Sequence, residues 1–181
     1  MSEKTGKFKL MSKIYFFVIL VLATLLFSCK KEKEYPVVPA IEYKEFLYNT
    51  ITQEGDFVFK FTDGDGDIGL KQSDNYPPFD TTSYYYNNFY IHIYERINGK
   101  YLPFVFFNSI TQQNDTIIFK YRIPYIEPVS ANGSLKGELK TKIGVGLMLP
   151  YLHSDTLQFE AYIYDRKLHK SNIIRTPDII F

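Results

Sequence analysis

Residues 57–70 read FVFKFTDGDGDIGL, a strand-like segment that runs directly into an acidic, glycine-rich turn. Phenylalanine stands at positions 57, 59 and 61, so every second residue is aromatic. A β-strand sends successive side chains to opposite faces, whereas a helix repeats about every 3.6 residues. The stretch therefore predicts a β-strand with one buried aromatic face, followed by a tight turn.

The same two-residue period recurs further along the chain, in residues 89–94, 117–123 and 157–164. Further strand candidates are residues 41–50, 101–107, 137–148 and 172–181. Asn98-Gly99 separates two of these segments and is a dipeptide typical of two-residue β-hairpins. The pattern predicts an all-β fold: a single immunoglobulin-like antiparallel β-sandwich of about seven to eight strands over residues 41–181.

Length, composition and charge narrow the choice of function. The chain has 181 residues, of which 45% are apolar and 23% charged, so one globular domain is expected. Residues 29–181 carry 17 basic and 19 acidic side chains. Nucleic-acid binding needs a concentrated basic surface, so nucleic acid is not an expected partner. The single cysteine excludes an internal disulfide and a metal site built from cysteines.

The first 28 residues have the pattern of an export signal. Four lysines precede residues 14–27, an apolar run without charges. As a helix this run would span about 21 Å, less than the roughly 30 Å hydrocarbon core of a bilayer. A basic leader with a short apolar run is typical of a signal peptide rather than of a permanent membrane span. Met11 is an alternative start to Met1, and it gives a more typical leader.

The apolar run ends in LFSC at residues 26–29, which resembles the lipobox of bacterial lipoproteins. The resemblance implies removal of residues 1–28, acylation of Cys29 (palmitate being a common acyl chain), and a lipidated tether over 29–40. Phe27 is bulkier than the residue usual at that position. Several acyl chains give stable membrane attachment, so we expect a cell-envelope protein at the outer membrane, on either face. The alternative is an uncleaved anchor helix with an incidental cysteine.

Asp63, Asp65 and Asp67 give the acidic turn its chemistry. Carboxylates at every second position, separated by glycines that allow tight turning, are the hard oxygen ligands that Ca²⁺ prefers. If Asp63 is position 1 of a calcium loop, Asp74 falls at position 12, so these four aspartates are candidate metal ligands. Ile68 stands where an EF-hand loop requires glycine, so a calcium loop of another type is expected. The alternative is a polar turn whose aspartates accept hydrogen bonds from the backbone.

The glycines of this turn also fit the spacing G-x-G-x-x-G of dinucleotide-binding loops. No helix pattern follows them, and the aspartates would repel a pyrophosphate, so we reject that interpretation. If the strands alternate in direction, two later loops share an end of the sandwich with the turn. Asp115 and Asp155 in those loops are then candidate additional ligands.

Aromatic residues are frequent, with 16 tyrosines, 16 phenylalanines and no tryptophan. Tyr86, Tyr90 and Tyr94 share one face of an extended segment, and stacked tyrosine faces suit a glycan. These three are therefore candidate ligand-binding residues. The alternative is a sheet face covered by tyrosines that pack together and keep their hydroxyls in water. The absence of tryptophan, the strongest stacking side chain, favours packing.

Three segments resemble a family of uncharacterised Bacteroidota lipoproteins: FVFKFTDGDGDIGL at 57–70, YERINGKYLPF at 94–104 and FEAYIYDRKLHKSNIIRTPDI at 159–179. In these proteins a lipobox precedes a phenylalanine-rich strand that runs into a DGDGDIG turn. The resemblance implies a small β-sandwich in the cell envelope. It carries no known activity, so it assigns no functional residue.

No catalytic motif accompanies these features. The chain lacks the G-x-S-x-G and H-E-x-x-H patterns, and its one thiol stands at the lipidation position. We therefore expect a protein that is not an enzyme: a lipid-anchored binding module for a glycan or an envelope protein, stiffened by calcium. The alternative is a structural or assembly subunit of an envelope complex that takes no small ligand.

Overall fold

Eleven β-strands form in residues 34–129 and 132–181, the two ranges that the computed structural model describes. In chain order they are β1 (Ala40–Asn49), β2 (Glu54–Asp63), β3 (Phe89–Ile97), β4 (Lys100–Pro103), β5 (Val105–Asn108), β6 (Gln113–Thr116), β7 (Ile118–Tyr121), β8 (Leu135–Gly144), β9 (Thr156–Ile163), β10 (Ile174–Arg175) and β11 (Ile179–Ile180). The described ranges also contain short 3-10 turns at Tyr84–Tyr86 and Leu149–Tyr151. None of the helical segments described has the length and apolar character needed to cross a membrane. The predicted signal peptide and Cys29 lie outside the described residues.

Two antiparallel sheets face each other across the core. One has the strand order β1-β2-β8, and the other has the order β10-β9-β3-β4, with β7 paired to β3 and β11 paired to β9. Taken in chain order, these are strands A, B and E facing strands G, F, C and C′, the arrangement of immunoglobulin-like sandwiches. The prediction of an all-β antiparallel sandwich is confirmed.

The described strands outnumber the predicted seven to eight for two reasons. Two predicted segments are each divided near a proline, and β6 (Gln113–Thr116) lies outside every predicted segment. Pro103 is the last residue of β4 to pair with β3, and the N–H of Phe104 makes one further bond, of 2.9 Å, to the carbonyl of Ile93. The chain then leaves the sheet as the separate β5–β6 hairpin. Pro177 stands between β10 and β11 and divides the last predicted strand in the same way.

The aromatic face of β2 forms the centre of the core, as its alternation predicts. Phe57 and Phe59 are completely buried. Their ring centroids lie 6.2 and 4.9 Å from that of Phe89 on β3. Phe57 also lies 6.4 Å from Phe159 on β9. Both partners belong to the opposite sheet, so burial of these rings holds the two layers together.

The strand directions bring several loops to one end of the sandwich. β2 ends at Asp63 where β8 begins, and β9 ends where β3 begins. Two isolated bridges join the loops at this end: Ile68 pairs with Asp165, and Leu70 pairs with Pro124. The acidic turn after β2 is therefore fixed against the turn that follows β9 in the other sheet.

We expect Phe57→Ala to lower the free energy of unfolding by about 3–5 kcal/mol, because the surrounding rings cannot fill the vacated volume. Urea unfolding followed by tyrosine fluorescence measures the change. Ile51→Ala is the matched control, since Ile51 is 92% exposed, and it should change the same quantity by less than about 0.5 kcal/mol. Equal values for the two variants would contradict a central role for the β2 face.

Candidate metal centre

Glycines allow the acidic turn to fold tightly where it leaves β2. Gly66 and Gly69 have φ angles of +69° and +89°, which glycine adopts without the strain that other residues would incur. A Cβ atom on Gly66 would lie 2.0 Å from the carbonyl oxygen of Gly133, and one on Gly69 would lie 2.2 Å from that of Pro124. The close approach of the neighbouring backbone therefore requires glycine at both positions.

Asp63, Asp65 and Asp67 form a cluster that could hold a metal ion. Each contributes one carboxylate oxygen, and these three oxygens lie within 4.8 Å of one another. Four buried side-chain atoms in the described ranges lack a hydrogen-bond partner, and three of them are the Oδ1 atoms of these aspartates. Buried polar atoms are nearly always paired. A bound cation would explain why three unpaired oxygens occur in a single turn.

The second oxygen of each carboxylate has a partner. Asp63 Oδ2 accepts a 2.8 Å hydrogen bond from the backbone N–H of Asp67. Lys167 Nζ forms an ion pair with Asp65 Oδ2 and lies 3.7 Å from Asp67 Oδ2. Each carboxylate is thus held in place through one oxygen while the other stays unpaired.

A fourth carboxylate, that of Asp165, lies beside the cluster. Its side chain is buried, and its Oδ1 accepts a 2.7 Å hydrogen bond from the backbone N–H of His169. Its Oδ2 lies 2.7 Å from the His169 ring nitrogen Nδ1. The sequence gives little indication that Asp165 is a neighbour of the cluster, because the two are far apart in the chain. An isolated bridge between Ile68 and Asp165 brings them together.

Burial and mutual repulsion make the cluster resist full ionisation. Burial raises the pKa of Asp63 to about 6; the hydrogen bond from Asp67 opposes this shift, and the charges of Asp65, Asp67 and Asp165 add to it. Burial likewise raises the pKa of Asp67, and repulsion from Asp165 adds to that shift. A positive charge close to the carboxylates would counteract the rise in both pKa values.

Asp74, the predicted ligand at position 12, is not part of this cluster. Its carboxylate forms an ion pair with Arg166 and accepts a 2.8 Å hydrogen bond from the backbone N–H of Lys71. Burial alone would raise its pKa, but the bonds from Lys71 and Arg166 outweigh burial and lower it. The chain turns away before Asp74 because the N–H of Leu70 donates to the carbonyl of Ile123.

Asp115 and Asp155 also lie away from the acidic turn. Asp115 accepts a hydrogen bond from the Asn108 side chain in the β5–β6 hairpin. Asp155 lies in the loop from β8 to β9, in which the N–H of Gly146 donates to the carbonyl of Gln53, before β2 begins. The assumed alternation of strand direction is wrong, because β4 and β7 both pair antiparallel with β3 and therefore run the same way.

Tyr90, one of the three tyrosines predicted to bind a ligand, is enclosed by other side chains. It is 1% exposed, and its ring lies between those of Tyr84 and Tyr162, at centroid distances of 4.8 and 5.4 Å. Its hydroxyl donates to the backbone carbonyls of Tyr84 and Asn87. These contacts are those of a packing residue.

Tyr86 and Tyr94 have other surroundings. The guanidinium of Arg122 lies 4.9 Å from the centroid of the Tyr86 ring. Tyr94 is half-buried and lines a separate groove with Tyr101 and Glu160. The three predicted tyrosines therefore have no common set of neighbours, and Tyr94 borders a groove open to solvent.

Neither family models nor curated sequences identify a relative of this chain. No protein-family model matches it, and a search of curated proteins finds no similar sequence. The function must therefore be inferred from the residues and geometry of the chain itself.

We expect the metal-free protein to lose stability as the pH rises from about 4 to about 6, because Asp63 has a pKa of about 6 when folded against an ordinary value of 3.8. A carboxyl whose pKa is raised by folding stabilises the fold while protonated, and this contribution is lost as the pH passes through the folded value. Thermal melts in excess EDTA across this range measure the effect. Asp63→Asn keeps an oxygen that can accept the bond from Asp67, so its melting temperature should fall less. If the melting temperature falls equally steeply with pH in the wild-type protein and in Asp63→Asn, the raised pKa does not belong to Asp63.

Proposed function

We propose that this chain is a lipid-anchored protein of the cell envelope whose β-sandwich is a non-enzymatic binding module stiffened by calcium. The observation that carries the proposal is the cluster of three aspartates in the turn after β2, each with an unpaired Oδ1. The proposed ligand of the module is a glycan or an envelope protein.

The chemistry of the cluster favours a hard cation such as calcium over zinc or copper. All three side chains offer carboxylate oxygens, which suit hard cations, whereas zinc and copper prefer histidine or cysteine. Two oxygens bound to one Ca²⁺ at 2.3–2.6 Å are at most about 5 Å apart, and the observed separations stay within 4.8 Å. Asp65 and Asp67 keep 22% and 16% of their side-chain surface exposed. Water molecules can therefore supply the further ligands that calcium needs.

A bound calcium ion would stiffen the end of the sandwich where loops from both sheets meet. The N–H of Arg166 donates to the carbonyl of Asp67, so the turn after β9 already touches the acidic turn. Neutralising the carboxylates would remove the repulsion that opposes this contact. The long segment between β2 and β3 would then present a fixed surface to a partner.

The proposed tether reaches the domain beside the acidic turn. The carbonyl of Pro36 accepts a 2.8 Å hydrogen bond from the N–H of Gly64. We propose that Cys29, seven residues earlier in the sequence, carries the lipid and holds the protein at the outer membrane. Extracellular calcium modules bind in the range of about 10⁻⁴–10⁻³ M, and a site with three carboxylates suits such modest affinity.

One observation favours the second candidate function, an assembly subunit of an envelope complex. The β5–β6 hairpin projects apolar side chains into solvent: Phe107 is 60% exposed, and Ile110 in its turn is 92% exposed. Exposed apolar clusters often mark protein contacts. Stable co-purification with an envelope protein, in the absence of any calcium effect, would favour this candidate.

We expect calcium to raise the melting temperature of the purified protein. A ligand at a hundredfold its dissociation constant adds about 2.7 kcal/mol to the stability of the folded state, which corresponds to roughly 5–10 °C for a domain of this size. Differential scanning calorimetry in about 10 mM calcium, a hundredfold a dissociation constant of about 10⁻⁴ M, and in excess EDTA measures the shift. Asp65→Asn combined with Asp67→Asn should abolish it.

Asp56→Asn is the matched control for the calcium experiment. Asp56 lies on the same strand, β2, and forms a surface ion pair of 3.0 Å with Lys140, so its loss changes the charge without touching the cluster. The control should keep the full calcium shift. Identical melting temperatures of the wild-type protein with and without calcium would contradict the proposed metal site.

We expect Cys29→Ser to abolish the incorporation of labelled palmitate and to release the protein from the membrane fraction, because the thiol is the proposed attachment point. Metabolic labelling and cell fractionation measure the two effects, with Lys30→Ala as the control that keeps both. Unchanged palmitate incorporation by Cys29→Ser would contradict the assignment, and a wild-type protein that still carries residues 1–28 by mass spectrometry would favour the uncleaved anchor helix instead.

A further inference from the structure

Lys167 is the cation that neutralises part of the aspartate cluster in the described structure. Its Nζ pairs with Asp65 Oδ2 and lies 3.7 Å from Asp67 Oδ2. The side chain remains 57% exposed, so it can move into water at little cost. Within residues 34–129 and 132–181, Lys167 is the basic side chain found in ion-pair contact with the cluster, through Asp65 and Asp67.

We infer that Lys167 is a built-in counter-ion that holds the metal-free turn together and lowers the affinity of the cluster for calcium. The inference rests on the proposed calcium site and concerns its regulation. A positive charge beside a cation site repels an incoming cation, whichever carboxylate oxygens the two groups use. Lys167 therefore sets how much calcium is needed before the site fills.

The position of Lys167 in the fold gives the ion pair a structural role as well. Lys167 lies in the turn after β9, in one sheet, and Asp65 lies in the turn after β2, in the other. The ion pair thus joins the two turns that calcium is proposed to stiffen. Without it, none of the three aspartates would have an ion-pair partner among the described residues, and Asp165 would keep its contact with His169.

The unpaired oxygens are a separate observation that points to a ligand in addition to Lys167. Asp63 is completely buried, yet its Oδ1 has no partner, and the same is true of Oδ1 in Asp65 and Asp67. Lys167 contacts Oδ2 of Asp65 and of Asp67 instead, and Asp63 Oδ2 accepts from the N–H of Asp67. These contacts leave one oxygen of each carboxylate available to a metal.

Lys170 provides a matched control in the same turn. Its Nζ lies 3.7 Å from the centroid of the Tyr162 ring, and Lys170 forms no ion pair with the cluster in the described structure. Lys170→Met removes the same formal charge as Lys167→Met, three residues away. The difference in calcium affinity between the two variants therefore measures the effect of the Lys167 ion pair, apart from the effect of removing one positive charge.

Isothermal titration of the detergent-solubilised full-length protein with calcium chloride tests the inference. We expect Lys167→Met to bind calcium about three- to fivefold more tightly than the wild-type protein, the upper part of the range for losing one partly exposed charge contact. Lys170→Met should stay within about twofold of wild type. In EDTA, Lys167→Met should melt below the wild-type protein, and saturating calcium should close the gap.

The outcomes separate this inference from the proposed function. If the wild-type protein binds calcium and Lys167→Met binds no more tightly than Lys170→Met, the counter-ion role is refuted and the metal site stands. If neither the wild-type protein nor Lys167→Met responds to calcium, both proposals fail. Calcium binding by Lys167→Met alone would support the inference in its strongest form. Should Lys167→Met not fold, Lys167→Gln replaces it, with the same expected tightening.

Discussion

The burial of one face of β2 against the opposite sheet is the constraint on which the rest of the structure depends. Phe57 and Phe59 on that face pack against aromatic rings of β3 and β9. The same two-residue period continues to Asp63, so the strand that builds the core also carries a carboxylate to a core-facing position. Asp63 is completely buried for this reason, and its burial underlies the unusual electrostatics of the turn.

Placing acidic groups at the end of a buried strand is unfavourable unless something compensates their charge. The raised pKa values of Asp63 and Asp67 are a consequence of this unfavourable burial and repulsion. Lys167 compensates part of the negative charge in the metal-free protein, and a bound cation would compensate more. Sites that depart from the rules of stable packing are commonly functional sites, which is why the acidic turn is a better candidate than any other cluster in the described ranges.

The abundance of tyrosine has a structural explanation in the described residues. The 3-10 turn at Tyr84–Tyr86 folds over β3 and β9, and the hydroxyls of Tyr84 and Tyr162 lie 2.9 Å apart. Tyr164 packs edge-on against both rings. Burial raises the pKa of Tyr84 and of Tyr164 to about 12. These rings form an aromatic cluster around Tyr90 outside the core of the sandwich, and Tyr84 is itself 52% exposed.

Local sequence determined the features that depend on near neighbours in the chain. The alternation at residues 57–61 and 89–94 determined the strands and their buried faces, and the glycine spacing determined a tight turn with three aspartates on it. Which further residues lie beside the three aspartates, and which predicted ligand does not, depended on contacts between distant segments. Asp165 and Lys167 reach the turn through pairing between loops, and Asp74 is drawn away by Arg166. Only the tertiary structure decided these, because strand direction after the β5–β6 hairpin, and hence which loops share an end, is a property of sheet pairing and not of local pattern.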